Sequence, residues 1–226
     1  MFACNFIHKA LWASFILTAH FSPAISQEEI FETVSSSEAS LKVVGGEIRA
    51  HLNPNGCATG FEAACSPVLQ RSEYISTKSH KHGDRVIYSW EIMVPKDFTY
   101  NASGAYLRAA RFLIGKEESI FNFLLDGKIG YDVGRKVCFG PEGFGSWHAI
   151  QVRVVWDSTK KKRLRDKTPG ELRVLCDGTE VLSHSGRPNI GDKDEVRITL
   201  GLAGSLKLAD GDITTVSFRN IKIETW

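Results

Sequence analysis

Arginines on predicted strands are the side chains of this sequence best suited to chemistry. They are Arg71, Arg108, Arg111 and Arg153. A guanidinium group is costly to bury without a partner, and its planar array of donors matches the geometry of a carboxylate or phosphate. We therefore expect these arginines to form a wet, cationic surface.

The chain as a whole is not strongly cationic. The formal net charge is only +2, so we expect no general attraction to nucleic acid. Basic residues are concentrated at positions 160–167, between two predicted strands. This run is typical of a solvated hairpin loop, and the alternative is a patch for an acidic polymer.

The strand signal is clearest between residues 147 and 184. Ile150, Val152 and Val154 alternate with polar residues, which is the period-two pattern of a half-buried strand. A second alternating segment, 171–176, leads into the tight turn Asp177-Gly178 and a further strand. These segments predict a β-meander.

The same patterns recur along the chain and predict an all-β protein. About ten strands alternate with turns and no helices lie between them, which favours two packed antiparallel sheets. Asp126-Gly127 predicts a type I′ hairpin. Residues 105–114 could be read as a helix from their alanines and leucines, but the surrounding strands and Gly115 favour a strand.

The N-terminal 26 residues read as a signal peptide. Lys9 precedes a short apolar run, and Ala24 and Ser26 have the spacing of a cleavage site before Gln27. We expect residues 27–39 to be a flexible leader and residues 40–226 to form one domain. The exported chain would be secreted or periplasmic, and no membrane association is expected after cleavage of the signal.

Cysteine usage favours disulfides. Once the signal is removed, Cys57, Cys65, Cys138 and Cys176 remain, an even number in an exported chain. Three pairings are possible, and we favour Cys57 with Cys65 and Cys138 with Cys176. No metal site is predicted, because neither a CxxC spacing nor paired histidines support one.

Several segments together resemble the jelly-roll polysaccharide lyases of the heparin lyase I and glucuronan lyase type. They are, in chain order, 71–74 (RSEY), 88–98 (YSWEIMVPKDF), the strand entered by Trp147-His148, the turn Asp177-Gly178, and the last strand near 218–221. The resemblance implies a concanavalin A-like sandwich whose concave sheet binds an acidic polysaccharide. It also implies cleavage by β-elimination, without a cofactor other than, at most, structural calcium.

Two residues that such lyases use for proton transfer are replaced here. The family's glutamine, aromatic and histidine resemble Arg111-Phe112-Leu113, so leucine stands at the position of the base. The family's Gly-x-Tyr resembles Gly201-Leu202-Ala203, so alanine stands at the position of the acid. Trp147 and His148 are interpreted as structural, an indole that packs and an imidazole that satisfies backbone groups.

If the chemistry has moved, other residues must neutralise the substrate carboxylate and carry protons. We expect Arg71, Arg108 or Arg111 to bind the carboxylate. Tyr131, His80 or His82 are the candidate proton carriers, although Tyr131 could equally be a sheet-surface aromatic and the two histidines simply solvated.

Two functions follow from this reasoning. The first is an exported lyase that binds and cleaves a uronic-acid polysaccharide, and the alternative is a non-catalytic glycan-binding protein on a lyase scaffold. Hydrolysis by paired carboxylates is not favoured, because no matching strand motif is present. We expect the protein to be monomeric.

Overall fold

A computed structural model describes residues 31–38, 40–52, 65–66, 69–100, 107–115, 118–158, 170–191, 194–204 and 214–226. These residues confirm the expected all-β fold, an antiparallel sandwich of two sheets. The predicted signal peptide, the basic run at 160–167 and the predicted Cys57–Cys65 disulfide lie outside the residues and side chains described.

The first sheet has eight strands. Seven follow the spatial order β1-β5-β14-β7-β8-β9-β10, and β4 pairs with β5. Their bounds are β1 Phe31–Val34, β4 Cys65–Ser66, β5 Leu69–Ser76, β7 Leu107–Ile114, β8 Glu118–Asp126, β9 Gly130–Val133, β10 Lys136–Phe139 and β14 Val196–Gly204.

The second sheet has seven strands in the order β13-β12-β11-β6-β15-β3-β2. Their bounds are β2 Leu41–Val44, β3 Glu47–His51, β6 Arg85–Met93, β11 Trp147–Val155, β12 Glu171–Cys176, β13 Thr179–Ser185 and β15 Thr215–Thr225. A 3-10 turn at Pro141–Gly143 precedes β11. Within the described ranges, the chain forms no helix that could cross a bilayer.

Aromatic side chains from both sheets fill the space between them. Tyr88 of β6 meets Phe112 of β7 edge-on, with ring centroids 4.9 Å apart, and Trp90 meets Phe123 in the same way at 5.2 Å. These four rings are almost completely buried. Burying a large apolar side chain stabilises the folded state by about 1.5–3 kcal/mol, so these aromatic contacts contribute much of the packing energy between the two sheets.

The hairpin turns follow the left-handed geometry that their residues favour, with one exception. Asp177 and Gly178 both have positive φ, 48° and 79°, as the expected tight turn requires. The expected type I′ turn at Asp126-Gly127 is wrong. Gly127 lacks a positive φ, and Asp126 Oδ1 instead accepts the backbone N–H groups of Lys128 and Ile129.

One chain segment differs from the sequence-based expectation, and an ambiguous one follows it. Phe31–Val34 was expected in a flexible leader but forms edge strand β1, because its residues pair in register with β5 and Phe31 stacks on Tyr74. Residues 107–114 form a strand, as favoured, with an irregularity at Ala109.

The expected disulfide between Cys138 and Cys176 is present. Cys138 lies on β10 at an edge of the first sheet, and Cys176 lies on β12 in the second sheet. The bond therefore joins the two layers of the sandwich covalently.

We expect the double substitution Cys138→Ala/Cys176→Ala to lower the free energy of unfolding by about 3–4 kcal/mol, because the bond closes a long loop in the unfolded chain. The two cysteines are 38 residues apart. Urea denaturation of both proteins measures the difference, and reduced wild-type protein should match the variant. An unchanged midpoint would contradict this role.

Candidate functional site

Two of the three predicted binding arginines lie in one cross-strand row on the outer face of the first sheet. Ala203 of β14 pairs with Arg71 of β5 on one side and with Arg108 of β7 on the other. Directly paired residues point to the same face, so the two guanidinium groups flank Ala203 from strands about 10 Å apart. We call these three residues the arginine row. Both arginines are partly exposed.

Gly201 allows the strands that carry this row to approach closely. Its φ is +142°, and a Cβ atom there would lie 2.2 Å from the Ser72 carbonyl oxygen. Only glycine fits such a position. The close packing of β14 against β5 therefore requires glycine at position 201, whether or not a tyrosine stands two residues later.

Arg111 lies on the same face but already has an acidic partner within the protein. Its Nε donates to Glu73 Oε1 at 2.6 Å, and its Nη2 donates to Glu73 Oε2. The Thr199 hydroxyl donates to the same Oε1 at 2.9 Å. Arg111 and Glu73 are only 3% and 1% exposed. Two parallel charge-assisted hydrogen bonds, both shielded from solvent, fix the position of the guanidinium group.

This pairing corrects the expected role of Arg111. A guanidinium that is buried and bound at two positions by Glu73 is not open to a substrate carboxylate from solvent. Sequence reasoning assigned no role to Glu73, although its position two residues after Arg71 on one strand places both on the same face.

The positions at which the resembling lyases carry proton-transfer groups are apolar and closed to solvent. Leu113 and Ala203 are at most 1% exposed, and neither belongs to the core between the sheets. The described outer face of β5, β14 and β7 contains no histidine, tyrosine or lysine. These three strands therefore supply no usual base or acid for β-elimination.

Tyr131 lies on the opposite side of the first sheet from the arginine row. It is fully buried in the core, stacked between Phe123 and Phe139 with centroid separations of 5.3 Å on each side. Burial raises the pKa of its phenol well above the usual value, and its hydroxyl has no hydrogen-bond partner among the residues described. Tyr131 is a core residue here and does not meet the arginines.

His80 and His82 lie together at one end of the sandwich, away from the arginine row. The His80 backbone bridges to Val196, and its ring packs edge-on against Tyr88. His82 is 46% exposed, and its Nδ1 accepts the Ser158 backbone N–H at 3.0 Å. Within the described residues, no group of three potential ligands could hold a metal ion.

Burial dominates the titration of His80. The Asp84 carboxylate lies 3.5 Å from its Nδ1 and favours the charged ring, but the His80 side chain is only 1% exposed and Asp84 is partly solvated. Loss of hydration, aided by Lys78, therefore holds the pKa of His80 below its usual value.

An acidic side chain extends the arginine row on the far side. Arg108 pairs with Leu124 of β8, and Leu124 pairs with Asp132 of β9. Burial raises the pKa of Asp132, and the neighbouring Asp126 adds to this shift. Asp132 is therefore harder to ionise than an ordinary aspartate, and the positive charge of this face comes from arginines on β5, β7 and β14.

The remaining expectations concern the second sheet. Arg153 lies on the outer face of β11, so it is not part of the surface formed by the other arginines.

The structural interpretation of His148 is confirmed. Its Nε2 lies 3.0 Å from the Gly143 carbonyl, its Nδ1 lies 2.7 Å from Asp177 Oδ2, and its ring stacks on Phe139.

Comparison with solved structures gives the fold but not the activity. A glucuronan lyase from the fungus Trichoderma reesei superposes with a TM-score of 0.56 at 14% sequence identity, covering 87% of each chain. An alginate lyase from a Chlorella virus superposes with a TM-score of 0.50 at 12% identity, covering 85% of this chain and 90% of that one. A sialidase also matches with a TM-score of 0.50, over only 18% of its own length.

No protein-family model and no curated protein matches the sequence. The expected resemblance is confirmed at the level of the fold: the chain has the jelly-roll scaffold of these polysaccharide lyases.

We expect Arg111→Ala to destabilise the protein by about 3–5 kcal/mol, because it leaves the Glu73 carboxylate buried and unpaired. Chemical denaturation measures this loss. The double variant Glu73→Leu/Arg111→Leu should lose clearly less, since it removes both charges together. A single variant as stable as wild type, or a double variant worse than the single, would contradict the pairing.

We also expect the protein to lose stability as the pH falls from about 7 to about 5. Unfolded histidine binds a proton below about pH 6.5, whereas folded His80 resists protonation, so acid favours the unfolded chain. The melting temperature measures the effect. His80→Phe should flatten this dependence while the exposed His82→Ala should not, and equal pH profiles for all three proteins would refute the role of His80.

Proposed function

We propose that this protein binds an acidic, uronate-containing polysaccharide along the arginine row and does not cleave it. The single observation that carries the proposal is the register of Arg71, Ala203 and Arg108. It presents two partly exposed guanidinium groups side by side on one sheet face. Guanidinium groups recognise carboxylates in a fixed, planar geometry.

Arg108 is the principal contact. Its guanidinium forms no hydrogen bond or ion pair with the residues described, and its side chain is partly exposed, so it can bind a ligand. Arg71 stands on the other side of Ala203, so an acidic chain that lies across β14 can contact both arginines. Two structural neighbours are a glucuronan lyase and an alginate lyase, and this supports an acidic polysaccharide as the ligand.

Cleavage is not part of the proposal, because β-elimination requires a base and an acid close to the sugar ring. The side chains of Leu113 and Ala203 can neither accept nor donate a proton. The buried Glu73 carboxylate is already bound by Arg111 and Thr199. Tyr131, His80 and His82 lie elsewhere. The lyase scaffold thus supports binding without the usual proton carriers.

The protein would act outside the cytoplasm. A disulfide between the two sheets persists in oxidising compartments such as the periplasm or the extracellular space. Acidic polysaccharides of cell surfaces are present in the same compartments.

We expect Arg108→Ala to weaken binding to polyglucuronate or alginate about three- to tenfold, since one charge-assisted contact is lost. Arg153→Ala is the matched control, because it removes the same charge from the other sheet and should leave affinity unchanged. Affinity chromatography or calorimetry at fixed salt measures both. Equal affinity for Arg108→Ala and wild type would refute binding at the arginine row.

The same samples test the absence of cleavage. β-Elimination creates an unsaturated uronate, so a lyase would produce a rise in ultraviolet absorbance on incubation with its polymer. We expect binding without such a rise across a panel of polyuronates and glycosaminoglycans. A rise with any of them would overturn the binding-only function.

A further inference from the structure

A groove of about 650 Å³ crosses the outer face of the second sheet, on the opposite side of the sandwich from the arginine row. Small residues leave this space open: Ser89 on β6, Ala149 on β11, and Gly178 in the turn after β12. Its size lies within the range of about 300–1,000 Å³ that small-ligand sites occupy.

Three hydrogen-bonding side chains line this groove in a single cross-strand row. Gln151 pairs with Ser89, and Ser89 pairs with Lys222 of β15, so all three point to the same face. In the part of the chain that the structure describes, none of them has a hydrogen bond or ion pair. An amide, a hydroxyl and an ammonium group are thus aligned across three adjacent strands and open to a ligand.

A bulge in β15 brings a fourth polar group into the groove. The register shifts between Arg219 and Lys222, and Asn220 within it has a φ of +53°, which few residues other than glycine adopt. Asn220 Nδ2 donates to Glu91 Oε1 at 2.7 Å, and this bond fixes the amide at the groove.

The charges around the groove nearly cancel. Arg219 Nε donates to Glu91 Oε2 at 2.7 Å, and hydrogen bonds from Asn220 and then Arg219 lower the pKa of Glu91, which is therefore a paired carboxylate. Lys222 and Glu224 line the groove with opposite charges. The groove therefore offers many donors and acceptors with little net charge, which fits a ligand rich in hydroxyl groups but without carboxylates.

We propose that this groove binds a neutral oligosaccharide of linked hexose units. Sugar hydroxyls both donate and accept, and the amide, hydroxyl and ammonium groups of the row, with the Glu224 carboxylate beside them, can satisfy them. Leu175 beside Gln151 supplies an apolar contact for the C–H face of a ring. The protein would then bind glycans on both sheets, an acidic chain on the first and a neutral chain on the second.

Calorimetry with purified protein and three neutral tetrasaccharides, cellotetraose, maltotetraose and mannotetraose, tests this site. We expect at least one to bind. Gln151→Ala should weaken that binding about three- to tenfold, and Ala149→Phe should abolish it by filling the groove. Ala149 is exposed, so the larger side chain should not disturb the core.

Arg153→Ala is the control within the same strand, because Arg153 shares the face of Gln151 but does not line the groove. It should bind the neutral tetrasaccharide as wild type does, and so should Arg108→Ala on the other sheet. Failure of all three sugars to bind, or unchanged binding by Ala149→Phe, would overturn the proposal. Neither result would affect polyuronate binding at the arginine row, so the two proposals fail separately.

Discussion

The ion pair between Glu73 and Arg111 determines what the outer face of the first sheet can do. A charge in so dry a setting is tolerated only when it is paired and hydrogen bonded, and here a carboxylate, a guanidinium and the Thr199 hydroxyl satisfy one another. The centre of the face is therefore occupied by the protein's own groups. The flanking positions, Arg71 and Arg108, retain contact with solvent.

Much of the fold could be predicted from the sequence. In a half-buried strand, apolar and polar residues alternate, and this alternation shows which face packs against the core. Buried and more exposed residues alternate along β6 and β11, and also along β12 up to the turn at Asp177-Gly178. The rule fails for β9, where all four residues are buried. In such a segment the pattern does not tell the inner face from the outer, and Tyr131 was consequently placed on the wrong side of its sheet.

The candidate site was less predictable, because its decisive contacts join residues far apart in the chain. The sequence indicated that arginines lie on the strand faces, but not that Arg111 is bound to a glutamate 38 positions earlier. His80 shows the same difficulty. Its polar neighbours are typical of a solvated loop, whereas a backbone bridge to Val196 draws it into the core. A single sequence carries no signal for either pairing.

The position of the last two strands has a consequence for biosynthesis. β14 lies between β5 and β7 in the first sheet, and β15 lies between β6 and β3 in the second, so the C-terminal part of the chain fills the middle of both layers. Neither sheet can be completed until residues 196–225 have been synthesised. Such long-range pairing makes folding slow and leaves strand edges open to aggregation in the meantime. Until β14 and β15 are in place, the strands on either side of them keep unpaired backbone groups that a chaperone for extended segments could bind.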